Sequence, residues 1–222
     1  MNALTTRLLA KELHQHGALM TAATAAGLAA LPLALTGGAG FHVAFVVWLT
    51  AVIALGVMLA MFGVSNERKE RARLFVLSLP LSPLDYVRIK LLGLVACFVL
   101  PWVVLSAGAV ALVVALPGLA DGLLPYTVLL CAYLLLNYAL VLSAALHIAS
   151  EAGMGGVIIL TNMSVSLFLA GVGRLPGIGE HMGAAAPVWT ATFWLLLAAE
   201  LAATLLALCL PLFFAARRRD AL

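Results

Sequence analysis

Residues 41–64 run for twenty-four positions without one Asp, Glu, Lys or Arg, and residues 124–147 do the same. The hydrocarbon core of a bilayer is about 30 Å thick, and a helix of about 20 apolar residues crosses it. In these segments apolar residues follow one another instead of alternating, which suits helices and not the strands of a barrel. Four more segments have the same character, so spans are expected near 18–36, 41–64, 88–116, 124–147, 154–173 and 189–214. Soluble domains are close to half apolar and a quarter charged; this chain is 65% hydrophobic and 9% charged. Its solvent is therefore lipid. The expected fold class is an all-α polytopic membrane protein, a single transmembrane domain over 1–222 with six transmembrane helices. The third span is long and holds Pro101, which should kink it. Gly and polar residues dilute the fifth.

Lys and Arg in short loops set orientation. With six spans, the two termini and the loops 65–87 and 148–153 share one side. That side holds Arg7, Lys11, Arg68, Lys69, Arg71, Arg73, Arg88, Lys90, Arg217, Arg218 and Arg219, and the other side holds Arg174 alone. Both termini and the loop after the second span are thus expected in the cytoplasm. Arg7 and Lys11 followed by an apolar run and by Gly37–Gly40 have the outline of a signal peptide. The apolar run exceeds the usual h-region of about 7–15 residues, so it is expected to stay as a span. Ahead of it, residues 4–16 carry Leu4, Leu8, Leu9 and Leu13 on one side, with most polar residues elsewhere. That pattern predicts a short amphipathic helix lying in the membrane interface. Arg217, Arg218 and Arg219 suit a stop-transfer and headgroup anchor.

One block breaks the apolar texture. Residues 66–90, NERKERARLFVLSLPLSPLDYVRIK, hold nine of the chain's twenty-one charged side chains. Glu67 and Arg71 are spaced i,i+4, and Glu70 and Arg73 i,i+3, both of which favour a helix. Ser65 is a candidate cap for that helix, unless the second span runs straight into it. An apolar arm follows over 74–81, too short to span. Ser82 as N-cap, Pro83 at the first helical position and Asp85 at the third then open a new helix. A positive-inside anchor would need only Arg and Lys. Glu67, Glu70 and the apolar arm suit docking to another protein instead.

This stretch resembles the first cytoplasmic loop of ABC-2-type transporter permeases. Their pattern is a Glu- and basic-rich helix after the second span, a leucine-rich stretch, an "LPxS" element, and a Tyr and a Lys leading into the third span. The corresponding residues are Glu67–Arg73, Leu74–Leu79, Leu79-Pro80-Leu81-Ser82, Tyr86 and Lys90. Many members carry a Gly-Thr pair where this chain has Arg71-Ala72-Arg73. Six spans, cytoplasmic ends and an amphipathic N-terminal helix extend the resemblance to most of the chain at the level of topology, while about 25 residues carry the motif. The resemblance implies the transmembrane subunit of an ATP-driven exporter in a bacterial cytoplasmic membrane, working as a dimer with a second permease copy or paralogue. It implies a separate P-loop ATPase subunit, holding ATP and Mg, docked on an interface of Glu67, Arg68, Glu70, Arg71, Arg73, Leu74, Phe75 and Leu77. The residues agree that this chain is not itself an enzyme: none of the lysines, Lys11, Lys69 and Lys90, follows the glycine spacing of a P-loop. Membrane lipid is the remaining partner, and no nucleic acid is expected.

Polar residues inside the spans are the other candidates. Glu200 falls in the middle of the last span, where a charge costs about 2.5–3.5 kcal/mol or more, so it should face the bundle, pair or be protonated. With Asn137 and Asn162 it is a candidate for an intramembrane path. The structural alternative is that Asn137, Thr161, Asn162, Ser164 and Ser166 make interhelical hydrogen bonds, worth about 0.6–2 kcal/mol each. The segment 174–188, with Arg174, Glu180 and His181, is a candidate re-entrant or gating turn. The histidines, His14, His16, His42, His147 and His181, sit at span ends on different sides, which argues against paired heme ligands. Cys97, Cys131 and Cys209 are scattered in apolar runs and give no metal motif or disulfide framework. Catalytic, metal and cofactor residues are therefore expected to be none in this chain. Two other function classes compete. A membrane scaffold or assembly factor would recruit a partner through the same loop without ATP-driven coupling. A stand-alone secondary carrier predicts several buried charges or an internal repeat, and no such repeat is visible.

Overall fold

The computed structural model describes residues 3–66, 83–116 and 118–217. They form α1 (Ala3–Ala34), α2 (Gly38–Ala60) with a π-helical continuation over Met61–Asn66, α3 (Pro83–Ala115), α4 (Leu123–His147), α5 (Glu151–Val172) and α6 (Ala191–Arg217). All six helices are long and apolar enough to cross a membrane. No strand occurs among the described residues. In hydrocarbon every backbone N–H and C=O must be satisfied within its own segment, and helices alone do that without pairing to a neighbour. The chain is a multi-pass membrane protein.

The first five helices pack each on the next in sequence, and the sixth packs mainly on the fourth instead of the fifth. α1 lies on α2 and α3, α5 leans on α4, and α6 packs on α4 and α3. The central element is α4: 61% of its most apolar stretch is buried within the bundle, against 17% for α1 and α5. Contacts between helix ends fix which ends coincide. Lys90 near the start of α3 meets Glu12 near the start of α1, and His147 at the end of α4 meets Phe214 near the end of α6. Arg217 joins them, its guanidinium over the Phe213 ring at 4.5 Å. The starts of α1 and α3 thus coincide, and so do the ends of α4 and α6.

Between α2, α3 and α4 the core holds Trp48, Val52, Leu55, Leu94, Phe98, Leu134 and Tyr138. Phe98 and Tyr138 stack with ring centroids 4.0 Å apart and planes 13° from parallel. Gly56 of α2 faces this pair, and a β-carbon there would lie 3.0 Å from Tyr138 and 3.3 Å from Phe98. Lipid tails are as apolar as leucine, so helices associate in a membrane through close packing and hydrogen bonds. Tyr138 supplies both, since its hydroxyl donates to the Leu94 carbonyl at 2.8 Å. Trp48 donates to Leu105 O at 3.1 Å and Trp102 to Cys131 O at 2.9 Å.

One expectation is corrected. The amphipathic interface helix over 4–16 is not a separate element: α1 runs unbroken from Ala3 to Ala34. Gly17 does not interrupt it, and Glu12 and His16 are buried instead of facing the interface, because α3 lies alongside. Of the two readings open at Ser65 the second is seen, because the helical path continues from α2 through Asn66. The segment between α5 and α6 is a packed turn with a short 3₁₀ helix over Gly179–His181. Ile178 anchors it by burying against Leu129, Val172 and Phe193. Pro83 does open α3 and Asp85 lies in its first turn.

Truncating Phe98→Ala should cost about 3–5 kcal/mol of stability, whereas Tyr138→Phe, which removes a single hydroxyl, should cost about 0.6–1.7 kcal/mol. Reversible unfolding in mixed detergent micelles measures both. Equal costs would deny the ring stack its place at the centre of the core.

Candidate functional site

The loop residues Glu67, Arg68, Glu70, Arg71, Arg73, Leu74, Phe75 and Leu77 lie outside the described residues, and so do Ser82, Arg218 and Arg219. What is described is the frame from which that loop hangs: Asn66 at the end of α2's continuation and Pro83 at the start of α3.

Two turns into α3 the frame contains a buried ion pair. Lys90 Nζ donates to Glu12 Oε1 of α1 at 2.7 Å. His16 Nε2, one turn further along α1, lies 3.6 Å from Glu12 Oε2. Glu12, His16 and Lys90 are each only 4% exposed. Gly93 makes the approach possible, because a β-carbon there would stand 2.9 Å from Glu12 Cγ. Lys90 and Gly93 are spaced i,i+3, and Cys97 follows at i+7, so one face of α3 presents charge, a gap and a small apolar group in succession. At about 1.5 Å per residue, α1 is about 48 Å long and α3 about 50 Å, both longer than a ~30 Å hydrocarbon core. Glu12 is about 33 Å from the Ala34 end of α1 and Lys90 about 38 Å from the Ala115 end of α3, each more than the thickness of a hydrocarbon core from the far helix end.

Neither residue was singled out from the sequence as half of a pair. Lys90 was legible as an orientation charge and as a motif residue, Glu12 as part of a polar helix face. The signal available was an acid spaced i,i+4 from a histidine on the first helix, facing a lysine on the same side of the membrane.

The intramembrane candidates separate. Glu200 is buried on the inner stripe of α6 with Phe193, Thr204, Ala207, Pro211 and Ala215. Both of its carboxylate oxygens lack a hydrogen-bond partner among the described residues, while its main-chain carbonyl accepts from Thr204 Oγ1 at 2.8 Å. Glu200 lies about 14 Å from the start of α6, deep in the hydrocarbon span. Of the three outcomes open to it, the structure places it facing the bundle and unpaired. Asn137 is committed elsewhere: its Nδ2 donates to Thr161 O of α5 at 2.8 Å. Ser164 Oγ donates to the same carbonyl at 2.6 Å and accepts from Tyr133 at 2.7 Å. This seam joins α4 to α5. Asn162 is half-buried beside it on α5, and its Oδ1 has no partner. No hydrogen bond joins the Glu200 carboxylate to either asparagine. Among the described residues no three His, Cys, Asp or Glu side chains gather to hold a metal ion.

No family model matches the chain, and no curated protein or solved structure matches it either.

Removing one partner of a buried ion pair leaves the other uncompensated and costs about 3–5 kcal/mol. Lys90→Met and Glu12→Leu should each destabilise the protein by about that amount, and the double variant Glu12→Leu/Lys90→Met should be more stable than either single one. A thermal-unfolding double-mutant cycle in detergent checks this. Additive losses would mean that the two side chains do not interact.

Proposed function

We propose that the chain is the membrane-spanning subunit of an ATP-driven ABC-2-type transporter, an exporter in a bacterial cytoplasmic membrane. It works as a pair of permease chains, a second copy or a paralogue, with separate P-loop ATPase subunits. ATP and Mg²⁺ belong to those subunits. Glu67, Arg68, Glu70, Arg71, Arg73, Leu74, Phe75 and Leu77 form the docking element, a stretch of mixed charge followed by apolar residues, and mixed charge beside apolar surface is what a specific protein contact uses.

The observation that carries this reading is the ion pair beneath the loop. A loop that transmits force must be joined stiffly to the spans it moves. The helix leaving this loop is α3, and Lys90 ties it to α1 through Glu12 at 2.7 Å. Displacement of the loop by closing ATPase subunits therefore draws two spans together as one body. A topology anchor would need Arg and Lys at the lipid headgroups and no buried partner. Within the bundle, Glu200 is the group best suited to meet a donor or cation on a passing substrate, because its carboxyl is uncommitted among the described residues. Asn162 keeps one free acceptor. Asn137 is a weaker candidate, held by its bond to Thr161.

Affinity purification in mild detergent tests the assembly. Wild type should bring down an ATP-hydrolysing subunit, and Glu67→Arg/Glu70→Arg should lose it while staying folded. An undisturbed chain without any ATPase would contradict the permease reading and favour the scaffold.

A further inference from the structure

At the other end of the bundle from the Glu12–Lys90 pair, α1, α2, α3 and α4 line a partly open cavity of about 280 Å³. Its walls include Leu31, Phe45, Trp48, Ala109, Leu112 and Leu130. The few polar groups among the lining residues are already engaged. Trp48 Nε1 donates to Leu105 O, Tyr126 donates through its hydroxyl to Leu169 O, and Thr127 Oγ1 donates to Leu123 O. Only His42 has no such bond among the described residues, and it is exposed, at the start of the second turn of α2. The cavity thus asks for no hydrogen bond from its occupant along its depth and offers one polar group at its outer edge.

Water does not fill such a space, because a stable buried water needs two to four polar partners. A cavity of ~150 Å³ lined by aliphatic and aromatic residues takes benzene, so this one has room for about ten or more carbons. The flanking residues Leu35, Val43, Val46 and Val114 are exposed and apolar, the surface a membrane protein turns to hydrocarbon. The medium next to the cavity is therefore made of aliphatic chains with a polar group at one end. We infer that the cavity binds the acyl chain of a membrane lipid, with the lipid's polar end beside His42. The inference rests on the cavity and its surroundings and does not depend on the transporter reading.

Trp48 lines the cavity and is 4% exposed, so it reports on the occupant and not on the surrounding bilayer. A protein with Trp102→Phe, Trp189→Phe and Trp194→Phe keeps it as the sole tryptophan. Reconstituted into phosphatidylcholine brominated along the acyl chain, Trp48 should be quenched relative to the unbrominated lipid. Ala109→Phe, which fills the cavity, should abolish that quenching. An unquenched Trp48, or quenching that survives in a folded Ala109→Phe protein, overturns the inference. Native mass spectrometry of the wild-type protein after stepwise delipidation decides independently of whether the variants fold. A retained lipid is expected, and a bare chain or one carrying a different apolar molecule refutes the acyl-chain assignment.

Discussion

Hydrocarbon as solvent governs every other feature of this protein. It forces the backbone into helices, and it removes the gain that burying leucine gives in water. What remains to hold six helices together is close contact and a small number of polar bonds. α4 concentrates both. Tyr138 and Cys131 O on α4 bond α3, Tyr133 and Asn137 bond α5, and Gly56 on α2 lets the Phe98–Tyr138 stack close up. Several of the carbonyls that accept these bonds lie within helices, so the aromatic and amide donors add a second bond to groups the backbone already satisfies. The extra bonds cost no unmet donor and fix the rotation of each helix about its axis.

Against that background the polar side chains fall into three kinds. Asn137, Tyr133, Ser164 and Thr161 are joined by hydrogen bonds into the seam between α4 and α5. Glu12 and Lys90 neutralise one another near the starts of α1 and α3, with His16 beside them. Such a pair adds little net stability over an apolar contact, because removing both charges from water offsets much of their attraction. What it adds is definition: α3 sits at one height against α1, with Gly93 leaving the space that Glu12 fills. Glu200 belongs to neither kind. It is buried at depth with no partner among the described residues, the arrangement in which an ionisable group in a membrane is most often functional.

The helices themselves were legible in the sequence, since twenty or more consecutive apolar residues leave few alternatives. The spans expected near 124–147 and 154–173 match Leu123–His147 and Glu151–Val172 within three residues, and Pro83 announced the start of α3. Boundaries failed where polar residues enter helices. Residues 4–16 have a polar side and suggested a separate interface helix, but α1 is continuous because a partner on α3 covers that side. Pairing across helices was illegible for the same reason: a glutamate in α1 and a lysine 78 positions later carry no local pattern that joins them. The outer cavity was equally hidden, being a space between four helices that each look complete. Glu200 and Asn137 stood out as polar residues in apolar runs, but only their surroundings separate an uncommitted carboxyl from a bonded amide.

The functional account turns on whether the charged loop contacts an ATPase. Incorporating a photoreactive amino acid at Phe75 and irradiating intact cells asks this directly, with Glu180 in the turn before α6 as the control position. The account predicts a cross-linked adduct with a nucleotide-binding subunit from position 75 and none from position 180. Adducts from position 75 with lipid alone, or with a protein that does not bind ATP, would contradict it.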